Sequence, residues 1–102
     1  MQIDIAARHM PLEPTIRDRV EEVVRRLDRI GERIITAHAI LDVVGGMPWV
    51  ELRLHLAPGQ LLVATASADD HRTALDLADA RMRRQLRRSH TRPRAHRHAL
   101  AT

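Results

Sequence analysis

Residues 49–56 read WVELRLHL, and the alternation in this stretch decides the fold class. A period of two residues is typical of a strand with one face in a hydrophobic core and the other in solvent. The residues expected to face the core are Val50, Leu52, Leu54 and Leu56, and those expected to face out are Trp49, Glu51, Arg53 and His55. This stretch therefore predicts a half-buried strand.

The segments on either side complete a sheet. Residues 34–44 and 61–67 are predicted strands, and Gly45-Gly46 marks the turn before residue 49. Apolar residues occur at both odd and even positions of 34–44, so the sequence does not show which face of that strand is buried. At the N-terminus, Ile3 and Ile5 alternate with Gln2 and Asp4 in a further short strand.

Two segments have helical periodicity. From Thr15 to about Gly31, apolar residues recur with a period of 3.6, which predicts the first helix. The second helix is expected to end near Ser89. Its apolar stripe consists of Ala74, Leu75, Ala78, Met82 and Leu86. The order β-α-β-β-β-α predicts an α+β two-layer sandwich: a four-stranded sheet with two helices on one face and antiparallel neighbours among the last three strands.

Composition excludes several classes of function. A chain of 102 residues supports one domain, and the absence of cysteine excludes disulfide scaffolds, thiolate zinc sites and thiol nucleophiles. No signal peptide or membrane-spanning run is recognised. Histidines and carboxylates form no recognisable catalytic or metal-binding arrangement. We therefore expect no enzymatic activity, cofactor, metal site, small-molecule substrate or membrane partner, and a cytoplasmic location.

Charged residues are unevenly distributed along the chain. Residues 1–80 hold nine arginines and thirteen acids, whereas residues 81–102 hold eight arginines and no acid. We expect residues 1–90 to form the α+β domain and residues 91–102 a disordered basic tail. The basic C-terminal part fits either a polyanionic partner or a solubilising charged tail, and the charge alone does not separate the two. For an RNA partner, the scarcity of aromatic residues favours contacts to phosphates of structured RNA over base stacking.

Helix geometry selects the candidate RNA-binding arginines. Arg81, Arg84 and Arg88 fall within about 60° of one another on the second helix. No acid lies three or four residues from any of them, and more arginines gather here than the preference of cations for a helix C-terminus explains. Arg87 belongs to the same candidate cluster. In contrast, Arg72 and Arg83 have acids four residues away, at Asp76 and Asp79, and are expected to form intrahelical pairs.

A second candidate set recurs every seven residues, at Arg19, Arg26 and Arg33. Glu22 lies within one helical turn of Arg19 and Arg26, which favours an ion-paired surface over RNA binding for this set. With the two helices side by side, the two sets could line a common groove. Whether they face each other depends on the helix order across the sheet, which the sequence does not determine.

Several segments resemble the short ribosome hibernation promoting factors and ribosome-associated inhibitor proteins of the sigma-54 modulation protein family. The resemblance spans about residues 1–90. The matching segments are MQIDI at the start, Arg26-Leu27, Arg33-Ile34, Leu52–Leu56, Ala64–Ala66, Asp70–Asp76 and Arg81–Leu86. The sequence departs from the family pattern at Val23, where a lysine is usual, and at Arg72, where a tyrosine is usual.

The resemblance implies a fold similar to a double-stranded RNA-binding domain. It implies binding to the small ribosomal subunit and its 16S rRNA near the decoding site, and inhibition of translation in stationary phase or stress by blocking mRNA and tRNA. A separate ribosome modulation factor is a further implied partner, because the dimerising domain of longer members is not seen before Thr102. The family's basic positions correspond to Arg26, Arg81, Arg84 and Arg88. The alternative is a divergent paralogue that acts as a regulatory module with another RNA or an acidic protein.

Overall fold

The elements occur in the predicted order. The computed structural model describes residues 1–30 and 33–101, with side chains through residue 88. The strands and helices are β1 (Gln2–Ala7), α1 (Pro14–Leu27), β2 (Ile34–Val44), β3 (Met47–Leu56), β4 (Gln60–Ser67) and α2 (His71–Ala101). A 3-10 turn, Asp28–Ile30, follows α1. The predicted stop at Gly31 lies outside the described residues. The α+β fold is confirmed.

The sheet is mixed, in the order β1-β2-β3-β4. Strand β1 pairs with β2 in parallel, whereas the other neighbouring strands are antiparallel, as predicted for the last three. The two-residue turn between β2 and β3 has positive φ at Gly45 (60°) and Gly46 (79°), which suits a type I′ hairpin. Because β1 and β4 run in the same direction, the helices that follow them lie side by side in parallel, and they contact each other.

Both helices cover one face of the sheet. Their buried side chains are Val20, Val23, Val24 and Leu27 of α1, and Ala74, Leu75, Ala78, Met82 and Leu86 of α2. On the sheet, all four residues of β3 predicted to face inward are buried. Among the four predicted to face out, Arg53 and His55 are exposed, whereas Glu51 is 9% exposed although it lies on the uncovered face. The uncovered face is therefore not uniformly open.

A β-bulge explains why the pattern of β2 was ambiguous. The pairing of β2 with β3 shifts register between Ile34 and Thr36. An extra residue reverses the alternation, so Ile34 faces the core on one side of the bulge and Ala37, Ala39 and Leu41 face it on the other. Apolar residues thus occupy both alternating sets without both faces being buried.

Helix α2 extends to Ala101, beyond the expected end near Ser89. The expected end near Ser89 is therefore wrong, and the side chains from residue 89 onward lie outside the description. The division into a domain over 1–90 and a disordered basic tail over 91–102 stays a prediction. Within the described part of the chain, no helix is long and apolar enough to span a bilayer.

Candidate nucleic-acid interface

The start of α2 is fixed by a capping aspartate. The carboxylate of Asp70 accepts hydrogen bonds from the Thr73 backbone N–H (2.7 Å) and the Thr73 hydroxyl (3.0 Å). These bonds, led by the backbone one, lower the pKa of Asp70 below its ordinary value. A side-chain oxygen of this kind satisfies an N–H group that the first helical turn leaves unpaired. The cap therefore sets where α2 begins.

Two side chains fix the rotation of α2 against the outer edge of the sheet. Arg81 donates a hydrogen bond to the backbone carbonyl of Thr65 on β4. One turn later, Gln85 donates to the carbonyl of Val63 at 2.7 Å. Since β4 is an edge strand, these carbonyls have no neighbouring strand on that side. The helix is thereby oriented so that Arg81 lies along the β4 edge.

Arg81, Arg84 and Arg88 together form what we call the α2 arginine flank. All three are exposed. Within the part of the chain whose side chains are described, none of them forms an ion pair with a carboxylate; Arg81 is bonded only to a backbone carbonyl. The positive charge of this flank is therefore not neutralised by those residues. Arg87 is exposed as well and lies about 100° from Arg88, toward the solvent-facing back of α2.

The two candidate arginines of α1, Arg19 and Arg26, are ion-paired. Arg19 donates to the Asp76 carboxylate of α2 at 3.1 Å and lies 3.5 Å from the carboxylate of Glu22. The hydrogen bond to Asp76 raises the pKa of Arg19 above its ordinary value, and the nearby charges of Asp76 and Glu22 add to this against a smaller opposing effect of desolvation. Arg26 donates to Glu22. The ion-paired alternative for this set agrees with these contacts.

Arg33 is placed apart from the other two members of its set. It lies just before β2, is exposed, and has no side-chain partner among the described residues. Its backbone carbonyl accepts a hydrogen bond from Ala57 N–H at 3.0 Å. The seven-residue spacing therefore does not continue as one helical stripe through Arg33.

The two arginine sets do not line a common groove. Asp76, which faces Arg19 of α1, lies about 140° around α2 from Arg81, which faces β4. The shared groove, which the sequence left open, is therefore not formed, because Arg81 lies on the β4 side of α2, away from α1. The flank and the α1 arginines are separated by the exposed back of α2.

Of the two intrahelical pairs expected on α2, one is present. Arg83 donates to Asp79 at 3.0 Å, with the carboxylate largely buried. The other expected pair, Arg72 with Asp76, is replaced by the contact between Asp76 and Arg19. A partner from another helix lies outside any periodicity within one helix, so the sequence did not reveal it.

Comparison with known proteins identifies the family. The model of the family described as Sigma 54 modulation protein / S30EA ribosomal protein matches residues 3–94. The chain belongs to this family. A curated member, the ribosome hibernation promoting factor of Azotobacter vinelandii, is 34% identical over 86 residues, covering 84% of this chain and 79% of that protein. Ribosome-associated factor Y of Haemophilus influenzae is 30% identical over 86 residues, with the same coverage of each chain. Membership places the chain among ribosome-associated hibernation and modulation factors.

Solved structures agree with the family assignment. The N-terminal domain of Thermus thermophilus Protein Y shares 30% identity with this chain and superposes with a TM-score of 0.76, covering 86% of this chain and 98% of that one. A ribosomal subunit interface protein from Coxiella burnetii, 24% identical with a TM-score of 0.77, covers 84% and 93% and shares the fold. The family resemblance seen in the sequence is thus confirmed.

The sequence did not reveal a second polar cluster, on the uncovered face of the sheet. There the structure brings together Asp4 of β1, His38 of β2, and Arg53 and His55 of β3. Strand pairing makes these residues neighbours although they are far apart in sequence. The available signal was the polar alternation of residues 49–56, but the unresolved facing of β2 hid the position of His38.

Proposed function

We propose that this protein is a cytoplasmic ribosome hibernation factor that binds the small subunit through 16S rRNA near the decoding site. It acts by occupying the path of mRNA and tRNA, without catalysis. The mechanism is steric: arginine–phosphate contacts hold the folded domain in place, and its bulk excludes the ligands of an active ribosome. A separate ribosome modulation factor is a further partner in this proposal.

The observation that carries the proposal is the α2 arginine flank. Its exposed guanidinium groups lack a carboxylate partner among the described residues, so binding phosphate does not first require breaking an internal ion pair. Arginine also binds phosphate oxygens through two parallel N–H bonds. Family membership and the names of the relatives support the ribosome as the source of those phosphates.

The candidate residues do not contribute equally in this proposal. Arg84 and Arg88 contact phosphates directly, with Arg87 beside them. Arg81 first releases the carbonyl of Thr65 or contacts RNA with its remaining N–H groups. Arg19 and Arg26 contribute less, because each is bonded to a carboxylate, and Arg33 reaches RNA separately from either helix.

Charge reversal on the flank tests the proposal. Co-sedimentation of purified protein with small subunits is measured for the wild type and for R84E/R88E. The matched control is R17E/R72E, which makes the same charge change near the N-terminal ends of the two helices, where acids are favourable. We expect the flank variant to lose binding and the control to retain it, with both giving wild-type circular dichroism.

Salt and nuclease distinguish RNA from a protein partner. Each phosphate contact contributes about 0.7–0.9 to the slope of log affinity against log salt concentration, so the wild type should show a steep slope. Full binding by R84E/R88E contradicts the proposal. Binding to cell-extract partners that survives ribonuclease treatment contradicts it as well and favours the alternative of an acidic protein partner.

A further inference from the structure

The uncovered face of the sheet contains a shallow depression opposite the two helices. Its volume is about 290 Å³, close to the lower limit of small-molecule sites. Its floor is formed by small and aliphatic residues, with Ala6 and Ile40 among them. The size suits one planar group such as a nucleobase rather than an extended ligand.

Two imidazole rings lie at this depression in a fixed arrangement. The rings of His38 and His55 are 6.0 Å apart and meet at 79°, so a face of one ring lies toward the edge of the other. Nδ1 of His55 lies 3.1 Å from the hydroxyl of Thr36, and Nδ1 of His38 lies 3.7 Å from the carboxylate of Asp4. Among the described residues, Nε2 of neither ring has a partner. The His55 ring is oriented by the hydrogen bond at Nδ1, the His38 ring lies beside a carboxylate, and Nε2 of each ring is available to a ligand.

Charged groups of both signs surround the rings. Arg8 is exposed and forms no side-chain hydrogen bond or ion pair within the described residues, although its charge acts on Asp42. The Nε–H of Arg53 donates to Glu51 at 2.6 Å, and its terminal amino groups have no hydrogen-bond partner in the described part of the chain. Asp4, with its side chain 49% exposed, is the carboxylate that lines the depression. The arginines of this depression can therefore bind an anionic group of a ligand, and the carboxylate of Asp4 can accept a hydrogen bond from an N–H group of the same ligand.

We propose that this face binds one unpaired nucleotide of an RNA strand, with its base against the His38 and His55 rings. Sheet proteins that bind single strands use ring stacking of this kind, and histidine and arginine side chains both serve as stacking surfaces. The phosphate of the nucleotide lies toward Arg8 and Arg53, and an exocyclic amino group of the base donates to Asp4. The inference rests on the proposed RNA partner and adds a base-contacting surface separate from the helices.

Asp4 favours a nucleotide over an acidic peptide. A peptide carboxylate placed against the rings is repelled by Asp4. A base is uncharged, so it tolerates Asp4 and gains a hydrogen bond from it when it carries an amino group. Adenine carries such a group and uracil does not, which predicts a preference for adenine.

The test is an NMR titration of the full chain with short single-stranded RNA. Hexaadenylate and hexauridylate are added separately at low salt, and the ring carbon–proton signals of His38 and His55 are followed. We expect hexaadenylate to shift both rings and to bind several-fold more tightly than hexauridylate. The H38L/H55L variant should lose about tenfold in affinity, since stacking one base contributes about 1–3 kcal/mol. The S67A variant, changed at an exposed position of β4 outside the depression, should match the wild type.

The variant R84E/R88E separates this inference from the proposed function. It should keep the ring shifts with hexaadenylate even though it no longer binds small subunits. The inference is overturned if hexaadenylate leaves both rings of the wild-type protein unshifted, or if a hexaglutamate peptide shifts them equally. If R84E/R88E still binds small subunits while the ring shifts persist, the proposed function fails and the sheet site stands.

Discussion

Arg19 of α1 and Asp76 of α2 are joined by a hydrogen bond of 3.1 Å that ties the two helices together. The side chain of Arg19 is 23% exposed, and its Nε is buried with no hydrogen-bond partner. A guanidinium that is half enclosed and bonded to a neighbouring helix is held in place. Arg19 therefore sets the spacing of the helices before it is available to any ligand.

A double-mutant cycle of R19A and D76A measures the coupling free energy between these two side chains. Because the Asp76 side chain is 48% exposed, solvent screens the pair, and we expect a coupling free energy of only about 0.2–1 kcal/mol in urea unfolding. The coupling should shrink at high salt. A coupling that is zero at low salt would show that the contact does not stabilise the folded chain.

Replacing Glu22 by glutamine should strengthen RNA binding. Glu22 pairs with both Arg19 and Arg26, so its charge competes with phosphate for these cations. Removing a competition of about 0.5–1 kcal/mol tightens binding about two- to fivefold. Affinity for small subunits is the measurement, and E21Q, which alters the neighbouring pair with Arg25, is the control. Unchanged affinity of E22Q for small subunits would show that Arg19 and Arg26 do not take part in RNA binding.

Core truncation in β3 should be costly. Leu54 is fully buried, so L54A is expected to lower the free energy of unfolding by about 2–5 kcal/mol. Leu61 of β4 is 48% exposed, and L61A should change it by less than about 0.5 kcal/mol. Urea unfolding followed by circular dichroism compares the two. Equal losses would contradict the assignment of the covered face.

Acid should weaken the fold through Asp42. A hydrogen bond from His9 (2.8 Å) and a second from the Val43 backbone N–H (2.7 Å) lower the pKa of Asp42 below its ordinary value of 3.8. A carboxyl whose folded-state pKa is depressed stabilises the fold above its unfolded-state pKa, and this contribution is lost as pH falls through the folded-state value. In D42N the loss of stability below about pH 4 should therefore be shallower than in the wild type. The exposed-acid control D18N should follow the wild-type curve.

Local patterns predicted most of the fold. Strict alternation in 49–56 and the 3.6-residue period of both helices do not depend on distant residues, so the order of the elements and the covered face of β3 were correct. The end of α2 was placed too early, near Ser89 instead of Ala101. The buried face of β2 could not be predicted from the sequence, because the bulge near Ile34 is defined only by the pairing of β2 with β3. The same limit applies to the partner of Asp76 and to the neighbourhood of His38 and His55, which arise from packing between distant segments.

The candidate site was predictable in composition and less so in arrangement. The lack of nearby acids around Arg84 and Arg88 can be read from helical spacing, and the structure agrees with it. The sequence left a shared groove open because the rotation of α2 depends on the contacts of Arg81 and Gln85 with β4. Those bonds join side chains to backbone carbonyls, which carry no residue-specific signal.

The hydrogen bonds from Arg81 and Gln85 to the backbone carbonyls of β4 also affect self-association. An edge strand with open carbonyls is a template on which another chain adds its own strand. Here helix α2 occupies two of those acceptors on β4. The domain is therefore protected against edge-to-edge pairing of β4 with a second copy of the chain.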